Sequence, residues 1–323
     1  MLVKRNAVTA QVDVREIVGC LMYSSYFCRI DYQTQTKWPM LLIADSGSTK
    51  TDWLLLPAPN RVVRLQTIGL NPIFLSLDEM CNLLRETFVD YRDEVTEVFF
   101  YGAGCVPDRI PGMEAMLRDV FPKAATHVAS DLLGAARALC GHEPGIACIL
   151  GTGSNSCYYD GIDIVHNVSP LGFILGDEGS GAVFGRQLLA DYLKQQMPLS
   201  LRKDFDERYH ITISEAIETV YRQPRPNRYL ANLARFIAFH LDSEYINELV
   251  RTQFLAFFQR NVMQYEQCRN VEISFVGSVA FYLQSQLNAC AEMLGLKLGK
   301  VVQSPIDLLA VFHTPTSIQL SRK

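Results

Sequence analysis

Hydrophobic and polar positions follow one order twice along this chain. Residues 41–56, LLIADSGSTKTDWLLL, and residues 146–161, IACILGTGSNSCYYDG, each run from an apolar strand into a turn of glycine and hydroxyls and then into a second strand. Short apolar runs bounded by turn residues predict β-strands, so each passage reads as a hairpin. After the first, residues 61–67 predict a third strand that closes an antiparallel meander. The pattern then alternates: a helix over 78–90, a strand at 96–101, a helix over 113–121, a short strand at 126–129, and a helix opened by Ser130 and Asp131 and running through 139. The second half restarts the order with its hairpin, a turn at Asp160 and Gly161, and a strand near Ile164.

From 179 to about 263 the pattern is helical, with Phe184, Leu188, Leu189, Tyr192 and Leu193 at helical spacing, interrupted by a loop at 222–227 that holds two prolines. A strand at 271–276, a helix over 278–294 and a last helix near 306–312 complete the chain. Strands in series followed by alternating helix and strand describe an α/β fold of mixed sheets with crossover helices. The repetition predicts a duplicated architecture: a first domain over 40–140, a second over 141–304 with a helical insertion, and a C-terminal helix at 305–314 that packs back on the first. Residues 1–39 show no sustained period and read as an extension outside the fold, so a chain starting at Met40 is expected to fold and function. The tail after His313 is polar.

Composition narrows the class. A chain of 323 residues, 49% hydrophobic and 20% charged, has enough apolar surface for two cores. Its net charge of −4 argues against a nucleic-acid partner, which calls for a basic patch. No apolar run reaches the roughly 18 residues of a membrane span, and the faint leader-like stretch at 17–28 lacks a small-residue cleavage site. The nine cysteines form no CxxC pair. They read as small buried hydrophobes of a reducing compartment, consistent with a cytoplasmic protein.

The turns carry the candidate chemistry. Glycine permits close backbone approach, and successive N–H groups with Ser and Thr hydroxyls form a concave donor surface for phosphate oxygens. Asp45 ends the first strand, where its carboxylate suits a hard cation such as Mg²⁺, held through water. Thr49 offers a hydroxyl and Lys50 a charge, while Gly151, Thr152, Gly153, Ser154 and Asn155 offer uncharged donors. The plainer reading of both passages is an ordinary hairpin with glycine at positive φ.

The set ADSGSTKTDW, SDLLGAA, LGTGSNS, LGDEGSG and FVGSVA, in that order over about 40–313, resembles the N-acetylglucosamine kinase branch of the BadF/BadG-type ATPases. That family belongs to the acetate and sugar kinase/heat-shock cognate/actin superfamily. The resemblance implies two ribonuclease H-like, actin-like ATPase domains with an interdomain cleft, using ATP and Mg²⁺ on an amino sugar, and it admits a homodimer. It assigns Asp45 to the metal and Ser48, Thr49, Lys50, Gly151, Thr152, Gly153, Gly277 and Ser278 to ATP. To the sugar it assigns Asn71, Ser154, Gly172 and Asp177, and it makes Asp131 the acceptor of the sugar hydroxyl proton. Where some relatives have a tryptophan in the sugar pocket, this chain has Leu171.

Each assignment has a structural counterpart. Asp131 also suits a helix N-cap, Asp177 and Glu178 suit first-turn acids that complement a helix dipole, and Asn71 suits a turn before Pro72. Gly277 and Ser278 also suit a helix start. Two rival functions remain. One is an activator ATPase driving electron transfer through a cysteine-ligated cluster, for which Cys105 is the loop-placed candidate. The other is a non-catalytic sugar sensor, which would be expected to lack Asp131 or Asp45. A Walker P-loop is excluded, since G-x-x-x-x-G-K-[ST] is absent.

Overall fold

The computed structural model describes residues 39–58 and 61–314. The readings of residues 1–38 and of the tail beyond Thr314 lie outside them. The first sheet starts with the meander β1 (Leu41–Ser46), β2 (Lys50–Ala58) and β3 (Arg61–Ile68). Helix α1 (Leu77–Thr87), β4 (Glu97–Gly102), α2 (Ile110–Val120) and β5 (Ala125–Ser130) follow, and the strand order is β3-β2-β1-β4-β5. β2 and β3 pair antiparallel, and β1, β4 and β5 run parallel. Helix α1 begins where Ser76 and Glu79 form a reciprocal capping box. Helix α2 begins three residues earlier than its apolar period suggests, because Pro111 fits the first turn, where no N–H is needed. Leu42, Ala44, Trp53, Leu55, Val98 and Phe100 face these two helices and fill one core with Leu84, Phe88, Met113 and Leu117.

The second sheet repeats the plan with β6 (Gly145–Leu150), β7 (Ser154–Tyr159), β8 (Ile164–His166), β9 (Ile273–Val276) and β10 (Leu298–Val302), in the order β10-β9-β6-β7-β8. The correspondence with the first sheet runs strand for strand. Between β8 and β9 lie the single turn α4 (Gly172–Leu175) and α5 (Gly181–Leu193), α6 (Leu199–Tyr209), α7 (Ile213–Tyr221), α8 (Pro226–Leu233), α9 (Arg235–Ala238) and α10 (Glu244–Arg260). Ile146, Cys148, Leu150, Ile273 and Phe275 pack against this helical layer.

Three expectations need correction. The loop at 222–227 ends at Arg225, because Pro226 opens α8 at a position where its fixed φ favours a helix. The long helix after β9 is two, α11 (Ser278–Tyr282) and α12 (Gln284–Met293), broken at buried Leu283 with φ −111° and ψ 27°. The strand β10 is absent from the expectation: it is a half-buried edge with Lys300 in its middle, so it lacks an apolar signature.

The chain divides into two compact units. The described parts of Met1–Asp131 and Leu309–Lys323 form one, and Leu132–Leu308 forms the other. Helix α3 (Asp131–Cys140) follows β5, yet Leu132, Ala135, Ala136 and Leu139 pack with Ala147, Cys157, Tyr159 and Val276 of the second sheet. The division therefore falls at the start of α3 and not after residue 140. Helix α13 (Ile306–His313) mirrors this arrangement: His313 stacks on Phe99 at 3.7 Å between ring centroids, and its Nε2 lies 2.7 Å from the Tyr101 hydroxyl, both on β4. Among the described residues no helix is long and apolar enough to cross a membrane.

Candidate active site

In the first unit the candidate residues gather at the ends of β1, β4 and β5. Two buried hydroxyls anchor the β1–β2 turn: Ser46 Oγ lies 2.8 Å from Thr51 Oγ1, and both accept from the Leu70 N–H, at 3.0 and 3.2 Å. The Gly47 N–H closes the turn on the Lys50 carbonyl at 3.0 Å, and the Thr49 carbonyl accepts the Gly69 N–H at 3.0 Å. Among the described residues the N–H groups of Ser48 and Thr49 have no intramolecular acceptor. They form a small donor surface of the kind that binds anions. Lys50 Nζ pairs with Asp52 Oδ2 at 2.7 Å, which holds the ammonium beside the turn.

A Cβ would meet open space at Gly151, ordinary contact at Gly47 and the Asp177 carboxylate at 3.1 Å at Gly153. Gly47, Gly151 and Gly153 do not lie at positive φ, so the ordinary positive-φ hairpin does not account for them. The crowded position is Gly69, which lies outside every motif of the sequence. A Cβ there would stand 2.3 Å from the Gly47 carbonyl oxygen and 2.7 Å from Ser48. Its only sequence signal is its place two residues before Asn71.

Asp45 is level with Tyr101 across the β1–β4 pairing, and Ser130, just before Asp131, is level with Gly102 across β4–β5. The two carboxylates thus leave the same end of β1 and β5, the strands on either side of β4, two strand spacings or roughly 10 Å apart at the backbone. Burial pushes the Asp45 carboxyl up to about 7; the negative charges of Asp131 and then Asp52 add to this, and Lys50 opposes it. A desolvated carboxylate among like charges is a site that favours a cation. Asn71 is buried and behaves first as a turn residue, its Oδ1 accepting the Ile73 N–H at 2.9 Å. A Cβ on Gly104, at φ +81°, would lie 2.3 Å from that oxygen. The Asn71 Nδ2 has no partner among the described residues and remains available to a ligand.

In the second unit the Gly151 N–H closes on the Gly153 carbonyl at 2.9 Å. The first N–H groups of α5, from Gly181 and Ala182, bond to the carbonyls of Gly151 and Thr152 at 2.8 and 3.0 Å. The N–H groups of Thr152 and Gly153 have no intramolecular acceptor among the described residues. The donor turn of the first unit therefore recurs at the equivalent place. Gly277, at φ +121°, approaches so closely that a Cβ would stand 2.3 Å from the Leu150 carbonyl oxygen. Asp177, buried and at φ 54°, accepts the Ser154 N–H at 3.3 Å. Burial pushes its carboxyl up to about 6, the Ser154 N–H opposes this, and Glu178 adds to it. Glu178 itself pairs with Arg260, a structural role.

The structure thus brings Gly151, Thr152, Gly153, Ser154, Asp177 and Gly277 together. Gly172, at φ +73°, and Leu171, at φ 59°, are exposed on the loop before Asp177 and contribute backbone shape. Ser278 is exposed at the start of the five-residue α11. Cys105 is buried, and burial, with Asp131 adding, pushes its thiol up to about 12. A thiol so disfavoured as thiolate is a poor metal ligand.

No protein-family model and no curated protein sequence matches the chain. Among solved structures, that of a candidate N-acetylglucosamine kinase from Porphyromonas gingivalis is 46% identical, with a TM-score of 0.81, covering 85% of this chain and 98% of that one. The chain belongs to the N-acetylglucosamine kinase-like branch of the BadF/BadG-type ATPases. Its two five-stranded sheets of equivalent order are the actin-like ATPase fold of that branch. A second candidate N-acetylglucosamine kinase, from Chromobacterium violaceum, shares the fold at 16% identity and a TM-score of 0.65, covering 86% of this chain and 99% of that one.

Proposed function

We propose that this protein transfers the γ-phosphoryl group of ATP to a hydroxyl of an amino sugar, with N-acetylglucosamine as the preferred substrate, in the cytoplasm. The observation that carries the reading lies in the first unit: an open donor turn at Ser48 and Thr49 beside two carboxylates, Asp45 and Asp131, on one edge of the sheet. A phosphate needs the donors, and a phosphoryl acceptor needs a base. The likeness to the Porphyromonas protein over nearly its whole length supports the same conclusion.

In this reading Ser48, Thr49 and Lys50 of the first unit hold phosphate oxygens, as do Gly151, Thr152 and Gly153 of the second, where Gly277 and Ser278 border the nucleoside. In the second unit Ser154, Gly172 and Asp177 are the sugar-binding candidates, with Asp177 accepting from hydroxyls, and in the first unit Asn71 is another. Asp131 receives the proton of the attacking hydroxyl as the new P–O bond forms and ADP leaves. Phosphoryl transfer asks mainly for positioning and charge stabilisation, which the fixed turns supply. Asp45 fits Mg²⁺ through its desolvated, like-charged surroundings. Among the described residues no group of three His, Cys, Asp or Glu converges on a metal, so the other ligands would be phosphate and water. Bound there, the ion supplies charge neutralisation at the β- and γ-phosphates. The electron-transfer alternative loses support from the buried, high-pKa thiol of Cys105.

A panel of N-acetylglucosamine, N-acetylmuramic acid, glucosamine and glucose, offered with ATP and Mg²⁺, tests the proposal. N-acetylglucosamine should be phosphorylated with the highest kcat/KM. Equal rates with glucose would overturn the amino-sugar assignment, and no sugar phosphate at all would overturn the kinase.

A further inference from the structure

In the second unit the segment 167–177 is fixed to the β6–β7 hairpin at both of its ends. At its start, Asn167 Nδ2 donates to Asn155 Oδ1 at 3.0 Å and to the Ser156 carbonyl at 2.7 Å. The next residue, Val168, donates its N–H to the Tyr265 hydroxyl at 3.0 Å. That hydroxyl lies 2.8 Å from Ser156 Oγ. At the far end the Asp177 N–H bonds back to the Pro170 carbonyl at 2.9 Å, and Asp177 Oδ1 accepts the Ser154 N–H at 3.3 Å. Between these anchors lie Leu171 and Gly172, both at positive φ and exposed. A segment with little burial of its own takes its shape from its ends.

Tyr265 is 1% exposed and 88 positions beyond Asp177 in sequence, yet its hydroxyl is a second link, beside Asn167, between strand β7 and the start of the segment. We propose that Tyr265 is a positioning residue for sugar binding: its hydroxyl joins Ser156 to Val168 and so sets where the following loop delivers Asp177 to the sugar hydroxyls. This rests on the kinase reading. The bond to Ser156 is buried and the bond from Val168 is part-buried, so water replaces the first poorly and leaves the second without its fixed acceptor. The ring can stay in place without the hydroxyl, packed edge-on to His166 at 5.2 Å between centroids.

Two variants test it: Tyr265→Phe alone, and Tyr265→Phe with Ser156→Ala. The single variant leaves the Ser156 hydroxyl buried without its partner, which lowers the melting temperature. The double variant removes both partners of that bond, so part of the loss returns, as apolar replacement of a whole pair often does. The position of the loop is restored by neither. Both variants should therefore raise the sugar KM roughly five- to tenfold, the fold-change for one lost hydrogen bond, while the ATP KM stays within about twofold. An unchanged sugar KM, a sugar KM that recovers with the melting temperature in the double variant, or an equal rise for ATP would overturn the proposal and leave the kinase reading standing. Wild-type protein that phosphorylates no amino sugar would overturn the kinase reading and the role of Tyr265 with it.

Discussion

The carboxylate of Asp177 accepts a hydrogen bond from the backbone N–H of Ser154 at 3.3 Å, which ties the loop before α5 to the donor turn of the second unit. Asp177 is buried and lies in the left-handed region at φ 54°. A non-glycine residue held there, with its charge partly desolvated, is the pattern expected of a residue kept for function at the cost of stability.

Asp177→Asn separates the two. Asn tolerates the left-handed region and can accept the Ser154 bond, so the fold is not strained. The folded-state pKa of about 6 lies above the usual 3.8. Between those values the folded protein binds the proton more tightly than the unfolded chain, so stability falls as pH rises through this window, and the full penalty is present above it. That penalty is on the order of 3 kcal/mol. The variant should melt higher than wild type at pH 8 and match it near pH 4, while its sugar KM rises far more than its ATP KM. Thermal melts across pH beside steady-state kinetics check both halves.

Gly69→Ala should act on the nucleotide side. The new methyl would stand 2.3 Å from the Gly47 carbonyl oxygen, which is backbone and cannot step aside without moving the turn. Overpacking of this kind costs about 1–3 kcal/mol. A lowered melting temperature with a raised ATP KM is expected; an unchanged ATP KM would separate Gly69 from the phosphate turn.

Much of this was legible in the sequence, and the limits have physical causes. The two hairpins can be read because each strand is an apolar run ending in a dense cluster of turn residues. Asp45, Asp131 and Asp177 can be found because each lies within a cluster of small residues. Gly69 and Tyr265 cannot, since each acts on a partner about 20 to 110 positions away that only the folded chain brings near. The strand β10 escapes for another reason: an edge strand half in solvent needs no alternation to be stable when β9 supplies its hydrogen bonds.

Cys105→Ala tests the electron-transfer alternative. A buried thiol pushed up to about 12 is a small hydrophobe. The variant should keep sugar phosphorylation, and purified wild-type protein should carry no iron by elemental analysis. Stoichiometric iron that disappears with Cys105→Ala would reverse the assignment.

The central claim is that Asp131 receives the proton of the attacking sugar hydroxyl, and the kcat of Asp131→Asn, measured beside its melting temperature, tests it most directly. Asp131 is the first residue of α3, so Asn gives up only the small first-turn charge benefit while it removes a negative charge that burdens Asp45, and the melting temperature should stay near that of the wild type. Loss of a general base costs on the order of 10²- to 10⁴-fold, so kcat should collapse by that factor while ATP still binds. A variant with near-native kcat would contradict the account and leave Asp131 as no more than the first residue of a helix.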